Sequence, residues 1–257
     1  MIDTHSHLSK RFCDVVAGED LGKLKAVVLA ASCLSDSKEN IELAEKNLRL
    51  YASVGIHPQK TDPEKKLSIK EQLILLEKLV KDNRKTIAAI GETGLDYSPA
   101  LEGEEDRSKK NQNDLFRGQI EISLRYKLPL IVHARQAVDE VIEILQDYEK
   151  AKGVFHCYAG GKKRIKKVLE LGSGWYFGID GNLTYEVGLK QVVTEIPQDR
   201  LVLETDCPFL TPIPHRGEKN KLVYVEFVYK RVAEIWGKSF KETEKIVDGN
   251  AGRLFGI

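Results

Sequence analysis

Eight short apolar runs, separated by longer stretches in which apolar residues recur every three or four positions, set the pattern of this chain. The runs span residues 1–5, 25–31, 50–56, 86–92, 129–133, 153–156, 174–179 and 200–205, and each has the length of a β-strand. They are continuous rather than alternating. A strand buried on both faces reads that way, so the runs predict a parallel sheet with helices crossing between successive strands. The helical pattern is clearest at 68–82, where Ser68 and Glu71 make a capping box and Ile69, Leu73, Leu76 and Val80 share one face. It recurs at 219–236 with Leu222, Val225, Val228, Val232 and Ile235. Such stripes are faces that pack on the sheet. Strand and helix alternate from end to end, which predicts an α/β protein of the (β/α)8 barrel class.

A second regularity lies where the runs end. The first leads into Asp3, His5 and His7, the fourth into Glu92, the fifth into His133 with Arg135 two residues on, the sixth into His156, and the eighth into Glu204 and Asp206. Polar side chains gathered at the C-terminal ends of parallel barrel strands form an active site. Because strand side chains alternate, Asp3, His5 and His7 are expected on one face, and so are Val202, Glu204 and Asp206. That parity places Asp3 and Glu204 one layer beneath His5 and Asp206, where a buried carboxylate orients a metal ligand or, on the plainer reading, makes a paired core acid. His57 follows Ser53 and Gly55 on the inward parity of the third strand.

Six candidate ligands, His5, His7, Glu92, His133, His156 and Asp206, exceed the needs of one tetrahedral ion. They suit two divalent ions about 3.5 to 4 Å apart, bridged by Glu92. Imidazole mixed with carboxylate favours zinc, manganese, cobalt or iron, with magnesium in a more open site. Such ions bring the pKa of bound water towards ~7, and Asp206, with a free carboxylate oxygen, is the expected acceptor of its proton. Glu92 and Asp206 are therefore the catalytic candidates.

The chain has 257 residues, 42% of them hydrophobic, which matches one barrel of about 250 residues and predicts a single domain over 1–257. No apolar run approaches the ~20 residues that cross a bilayer, and no basic-then-apolar leader precedes the first strand, so a soluble, unexported protein is expected. The four cysteines (Cys13, Cys33, Cys157, Cys207) form no CxxC and read as reduced thiols of a cytoplasmic protein. Cys157 and Cys207, next to expected ligands, are expected to be small buried residues facing away from the site. A net charge of +1 excludes the broad basic field that wraps duplex nucleic acid and leaves room for a local basic rim. Lys162-Lys163 and Lys166-Lys167 read as a solvated helix face. Residues 98–111 form a polar loop at the mouth, either a lid or simply exposed, with an acidic cluster of Glu102, Glu104, Glu105 and Asp106.

The segments Asp3-Thr4-His5-Ser6-His7-Leu8, Gly55-Ile56-His57-Pro58, Gly91-Glu92-Thr93-Gly94-Leu95-Asp96-Tyr97, Val132-His133-Ala134-Arg135, Phe155-His156-Cys157-Tyr158-Ala159-Gly160 and Glu204-Thr205-Asp206-Cys207-Pro208 resemble, in order, the motif series of the TatD family of metal-dependent deoxyribonucleases. Pro214-His215-Arg216-Gly217 with Asn220, and the terminal Asn250-Ala251-Gly252-Arg253-Leu254-Phe255, extend the resemblance over nearly the whole chain. Leu222 stands where the family usually has a proline. The resemblance implies a TIM-barrel hydrolase of the amidohydrolase-like group that cleaves phosphodiester bonds of DNA, often as a 3′-to-5′ exonuclease on single strands. It makes the same six positions ligands of two divalent ions (zinc, manganese, magnesium or cobalt) and puts His57, Arg135 and Arg216 around the substrate phosphate. Its expected partner is nucleic acid, as single-stranded DNA ends, with no membrane and a monomer or weak oligomer. The residues themselves agree for Arg135, which shares the face of His133 and can hold a phosphate bidentately. Arg216, in a Pro- and Gly-rich loop, reads equally as a surface arginine, and His57 as a phosphate contact or a hydrogen-bond partner of a ligand.

Two other functions fit the same residues. Activated water attacks acyl carbon as well as phosphorus, so an ester, lactone or amide, including the acyl bond of D-aminoacyl-tRNA, is a second substrate class. The flanking arginines, and Glu92 where many amide-cleaving relatives carry a carboxylated lysine, favour phosphate. A non-catalytic barrel stabilised by metal is the third reading, but structural zinc sites are closed, four-coordinate and often rich in cysteine.

Overall fold

The eight strands lie side by side in chain order, every neighbouring pair parallel. The computed structural model describes residues 1–8, 21–59, 67–99 and 108–257. Its strands are β1 (Ile2–Ser6), β2 (Ala26–Leu29), β3 (Leu50–Val54), β4 (Ile87–Asp96), β5 (Leu130–Arg135), β6 (Gly153–Phe155), β7 (Trp175–Ile179) and β8 (Leu201–Leu203). Between and after them run α1 (Leu34–Lys46), α2 (Ile69–Asp82), α3 (Lys109–Tyr126), α4 (Val138–Gln146), α5 (Gly161–Glu170), α6 (Val187–Glu195), α7 (Val225–Trp236) and α8 (Phe240–Phe255). The sheet curls until β8 meets β1. A bridge between Ser6 and Cys207 joins them, and the Thr4 hydroxyl donates to the Leu203 carbonyl at 3.1 Å. The Asp206 N–H donates to the His5 carbonyl at 2.9 Å. This is the expected (β/α)8 TIM barrel.

Two layers of apolar side chains hold it. Val28, Ala89, Ile131, Val154, Tyr176 and Val202 form one cluster with Ala251, Leu254 and Phe255 of α8. Phe255 also lies beside the strand-start residues Tyr51, Ile87 and Pro129, so α8 covers the N-terminal end of the barrel. A larger layer, including Val27, Leu29, Leu76, Val80, Phe116 and Ile120, separates strands from helices. The opposite end, where the C-terminal ends of the strands lie, is left for loops and polar side chains.

The element starts agree with the sequence pattern, and α2 carries the expected Ser68–Glu71 capping box. The ends differ in informative ways. β4 runs on to Asp96 and β5 to Arg135 because they pair beyond the apolar run, as far as Asp96 against Arg135. β8 stops at Leu203 instead of continuing to 205. The helix expected over 219–236 begins as a 3-10 turn at Leu222–Tyr224, because Asn220 is used otherwise: its amide donates to the carbonyls of Thr205 and Phe209 and ties down the loop after β8. Lys162, Lys163, Lys166 and Lys167 are exposed, as expected. Cys13, the cluster Glu102, Glu104, Glu105 and Asp106, and most of the loop at 98–111 lie outside the described residues. Among the described residues no helix is long and apolar enough to cross a membrane.

Candidate metal centre

The ends of β1, β4, β5 and β6 and the turn after β8 converge on a cavity of about 550 Å3 whose wall includes His7, His57, Glu92, His133, His156 and Asp206. Each arrives by a different local device. His5 and His7 come from β1 past an irregularity in its register with β2, between Asp3 and Ser6. Glu92 lies mid-strand in β4, where the register with β5 shifts between Ile90 and Thr93 and the Gly91–Glu92 peptide is cis. Gly94 follows with φ 136°, in a place where a Cβ would lie 2.0 Å from the His133 carbonyl oxygen, so the strands approach there only because the residue is glycine. Asp206 is not the top of an alternating strand. β8 has already ended, and Asp206 takes φ 54°, turning its carboxylate into the cavity while its N–H is held by the His5 carbonyl.

The carboxylate of Glu92 faces two groups of imidazoles. Its Oε2 lies 3.6 Å from His5 Nε2 and 3.7 Å from His7 Nε2, and Asp206 Oδ1 lies 3.5 and 3.4 Å from the same two nitrogens, which are 3.3 Å apart. Its Oε1 lies 2.8 Å from His133 Nδ1, 3.0 Å from His156 Nε2 and 3.3 Å from His57 Nε2. The His5 and His156 rings stack at 3.9 Å across the two groups. The nitrogen–oxygen separations in the first group are longer than good hydrogen bonds, and the two ring nitrogens face each other as well as the carboxylates, a spacing that suits donors gathered around one divalent cation. The donor set therefore fits metal, with Glu92 between the two groups of imidazoles.

Charge follows the same arrangement. Burial alone would raise Glu92, yet the charges of His156 and His57 and hydrogen bonds from His133 and His156 hold it well below the usual carboxylate range. Burial alone would lower His156, but Glu92 and Glu204 raise it well above the usual imidazole value. His133 is raised against burial by Asp96 and Glu92, and His7 by Asp206 and Glu92. His5 is pushed well down by burial and by the neighbouring His156.

Behind the ligands stands a ring of buried acceptors. Glu204 lies 3.5 Å from His156 Nδ1 and accepts the Cys157 N–H at 2.5 Å. Gly178 makes room for it, since a Cβ there would lie 2.5 Å from its carboxylate. Asp3 has a different task from the one its parity implies. It accepts the N–H groups of His5 and Thr205 and the Thr205 hydroxyl, and so fixes the backbone of both ligand-bearing segments rather than an imidazole ring. Asp96, which the sequence analysis did not single out, accepts from His133 Nε2 at 3.0 Å and from Gln59 at 2.7 Å. Burial would raise it, but His133 and Ser98 hold it far below the carboxylate range. Asp180, after β7, also had no sequence signal. Burial pushes it up to about 7 against hydrogen bonds from Cys157 and the Asn182 N–H. That contact corrects a second expectation. Cys157 lines the cavity instead of facing away, because it leaves the strand with φ 44°; Cys207 does face away, towards the Asn220 carbonyl.

Of the expected substrate contacts, Arg135 lines the cavity at the exposed end of β5. His57 is brought into it as well. Its Nδ1 accepts the Gln59 N–H at 3.0 Å, so its proton sits on Nε2, which donates to Glu92. Arg216 stands one layer out, its guanidinium 4.0 Å from the centre of the Tyr185 ring. Tyr185 in turn is hydrogen-bonded to Asn182, which does line the cavity.

A family model described as TatD related DNase matches residues 2–256. The metal-dependent hydrolase YabD of Bacillus subtilis (strain 168) is 34% identical over 267 residues, covering 100% of this chain and 99% of its own. YcfH of Escherichia coli (strain K12), also named a metal-dependent hydrolase, is 29% identical over 270 residues, covering 100% and 96%. Among solved structures, YJJV, a TatD homologue of Escherichia coli K12, superposes with a TM-score of 0.87 at 25% identity, over 100% of this chain and 98% of that one. A dihydroorotase of Campylobacter jejuni, 12% identical with a TM-score of 0.62, covers 100% of this chain and 83% of its own and shares the fold alone.

Proposed function

Because the chain belongs to the TatD-related family of metal-dependent hydrolases, we propose that it cleaves phosphodiester bonds of DNA, working from the ends of single strands as a 3′-to-5′ exonuclease. The observation that carries the reading is the cation at the end of β5: Arg135 opens onto the same cavity as the converging imidazoles and carboxylates. A planar guanidinium beside such a cluster is the recognition chemistry of a phosphate.

His5, His7, Glu92 and Asp206 would hold one divalent ion and Glu92, His133 and His156 a second. Bound there, zinc, manganese, magnesium or cobalt supplies Lewis acidity and lowers the pKa of water. The chain's own residues do the rest. Arg135 takes the non-bridging oxygens of the phosphate. His57, whose tautomer the Gln59 backbone N–H fixes, turns its Nε2–H from Glu92 to the phosphate when substrate enters, on the same side of the cavity as Arg135. Asp206 keeps 14% of its side chain accessible and accepts the proton of the attacking water. Glu204 and Asp96 hold the His156 and His133 rings in place.

The reading is tested with an end-labelled single-stranded DNA oligonucleotide, resolved at single nucleotides, incubated with metal-reconstituted wild type and with Asp206→Ala. Stepwise shortening from the 3′ end by wild type alone is expected. An oligonucleotide left intact across Mg2+, Mn2+, Zn2+ and Co2+ would turn the assignment to acyl substrates, with aminoacyl-tRNA the next to try.

A further inference from the structure

The ring of Phe209 is 46% exposed and lines the cavity, its centroid 6.0 Å from that of the His7 ring and its plane at 70° to it. Its backbone is anchored from both sides. The Phe209 N–H donates to the Asp206 carbonyl at 2.8 Å, and its carbonyl accepts the Asn220 side-chain amide at 2.5 Å. Asn220, itself buried, also holds the Thr205 carbonyl at 2.9 Å. One loop thus fixes both a metal-ligand carboxylate and a large apolar ring that water still reaches. Leaving such a ring accessible forgoes burial that would stabilise the fold, while the surrounding polar network holds it in one place.

We propose that Phe209 is the stacking platform for a nucleobase next to the scissile phosphate. The inference rests on the nucleic-acid reading above and names a subsite of the same cavity. Arg135 and His57 stand on the β5 and β3 side, where they meet the phosphate; Phe209 stands on the β8 side beside His7, where the base of a flanking nucleotide comes to rest. Stacking on an aromatic ring is how proteins hold single strands without reading their sequence, because every base offers a π-face. A base paired within a duplex has both faces covered by its neighbours, so a platform of this kind selects unpaired ends.

The test compares two single-stranded oligonucleotides of equal length, one ordinary and one with abasic residues in the last two positions at each end, cleaved by metal-loaded wild type, Phe209→Ala and Phe209→Trp. Wild type is expected to prefer the ordinary oligonucleotide on the order of tenfold in kcat/KM. Phe209→Ala should remove that preference by slowing only the ordinary substrate, with bound metal unchanged, and Phe209→Trp should restore it. Equal rates on both oligonucleotides with wild type, or a Phe209→Ala loss that is the same for both, would overturn the platform while leaving the nuclease reading intact. Wild type that cleaves neither would overturn both.

Discussion

Glu92 faces His5 and His7 with one oxygen and His57, His133 and His156 with the other, so its removal strikes both halves of the cluster. Glu92→Ala should lose bound metal and hydrolysis together; metal analysis after dialysis that still finds two ions would contradict its place between them. Asp96 acts through His133. Asp96→Asn should weaken metal binding by about 10- to 100-fold, read by competition with a chelator, since outer partners of ligating imidazoles carry effects of that size. Arg135→Ala should keep its metal and raise KM for phosphate-bearing substrates, and unchanged kinetics would remove the phosphate clamp. At this scale His5, Glu92, His133 and His156 were legible because each follows an apolar run. Asp96 was not, because its role depends on β4 outlasting its apolar run, and neither was Phe209, whose position depends on a loop tied by Asn220, eleven residues away.

Elements add their own terms. α8 begins with Ser239 and Glu242 in a reciprocal capping box, so Ser239→Ala should lower unfolding stability by about 1 kcal/mol in chemical denaturation. α4 and α5 are tied by Asp139, which accepts from Arg164 at 2.5 and 2.7 Å and from Lys167 at 2.9 Å. Those bonds, Arg164 first, pull its carboxyl down from 3.8 to about 2. A carboxyl whose pKa falls on folding contributes stability above its unfolded value and loses it as pH drops through the folded one. The deficit of Asp139→Asn should therefore be full at neutral pH and fade between about pH 4 and pH 2. It should stay within the ~0–1 kcal/mol of exposed ion pairs, and a deficit that grows on acidification would contradict the assignment. Strand starts were readable from the apolar runs; strand ends were not. Pairing carried β4 and β5 past theirs, while the positive φ of Asp206 lies in a turn beyond the early end of β8, where alternation no longer says which way a side chain points.

At the scale of the whole molecule, continuous apolar runs in alternation with amphipathic helices were enough to place polar residues at one end of a parallel sheet covered on both faces, and the number of runs favoured a barrel over an open sheet. Closure of β8 onto β1 was not in the pattern. It depends on Asp3, Thr4 and Thr205, polar residues whose hydrogen bonds cross the seam and have no periodicity to betray them. That seam sets His5 and His7 against Asp206, and the register shift in β4 sets Glu92 between them and the other imidazoles. The most direct test of this arrangement is anomalous diffraction from crystals grown with zinc or manganese. Two peaks about 3.5 to 4 Å apart, one against His5, His7 and Asp206, the other against His133 and His156, with Glu92 between, are what this geometry predicts. A single peak that Glu92 does not touch, or peaks elsewhere in the molecule, would contradict it.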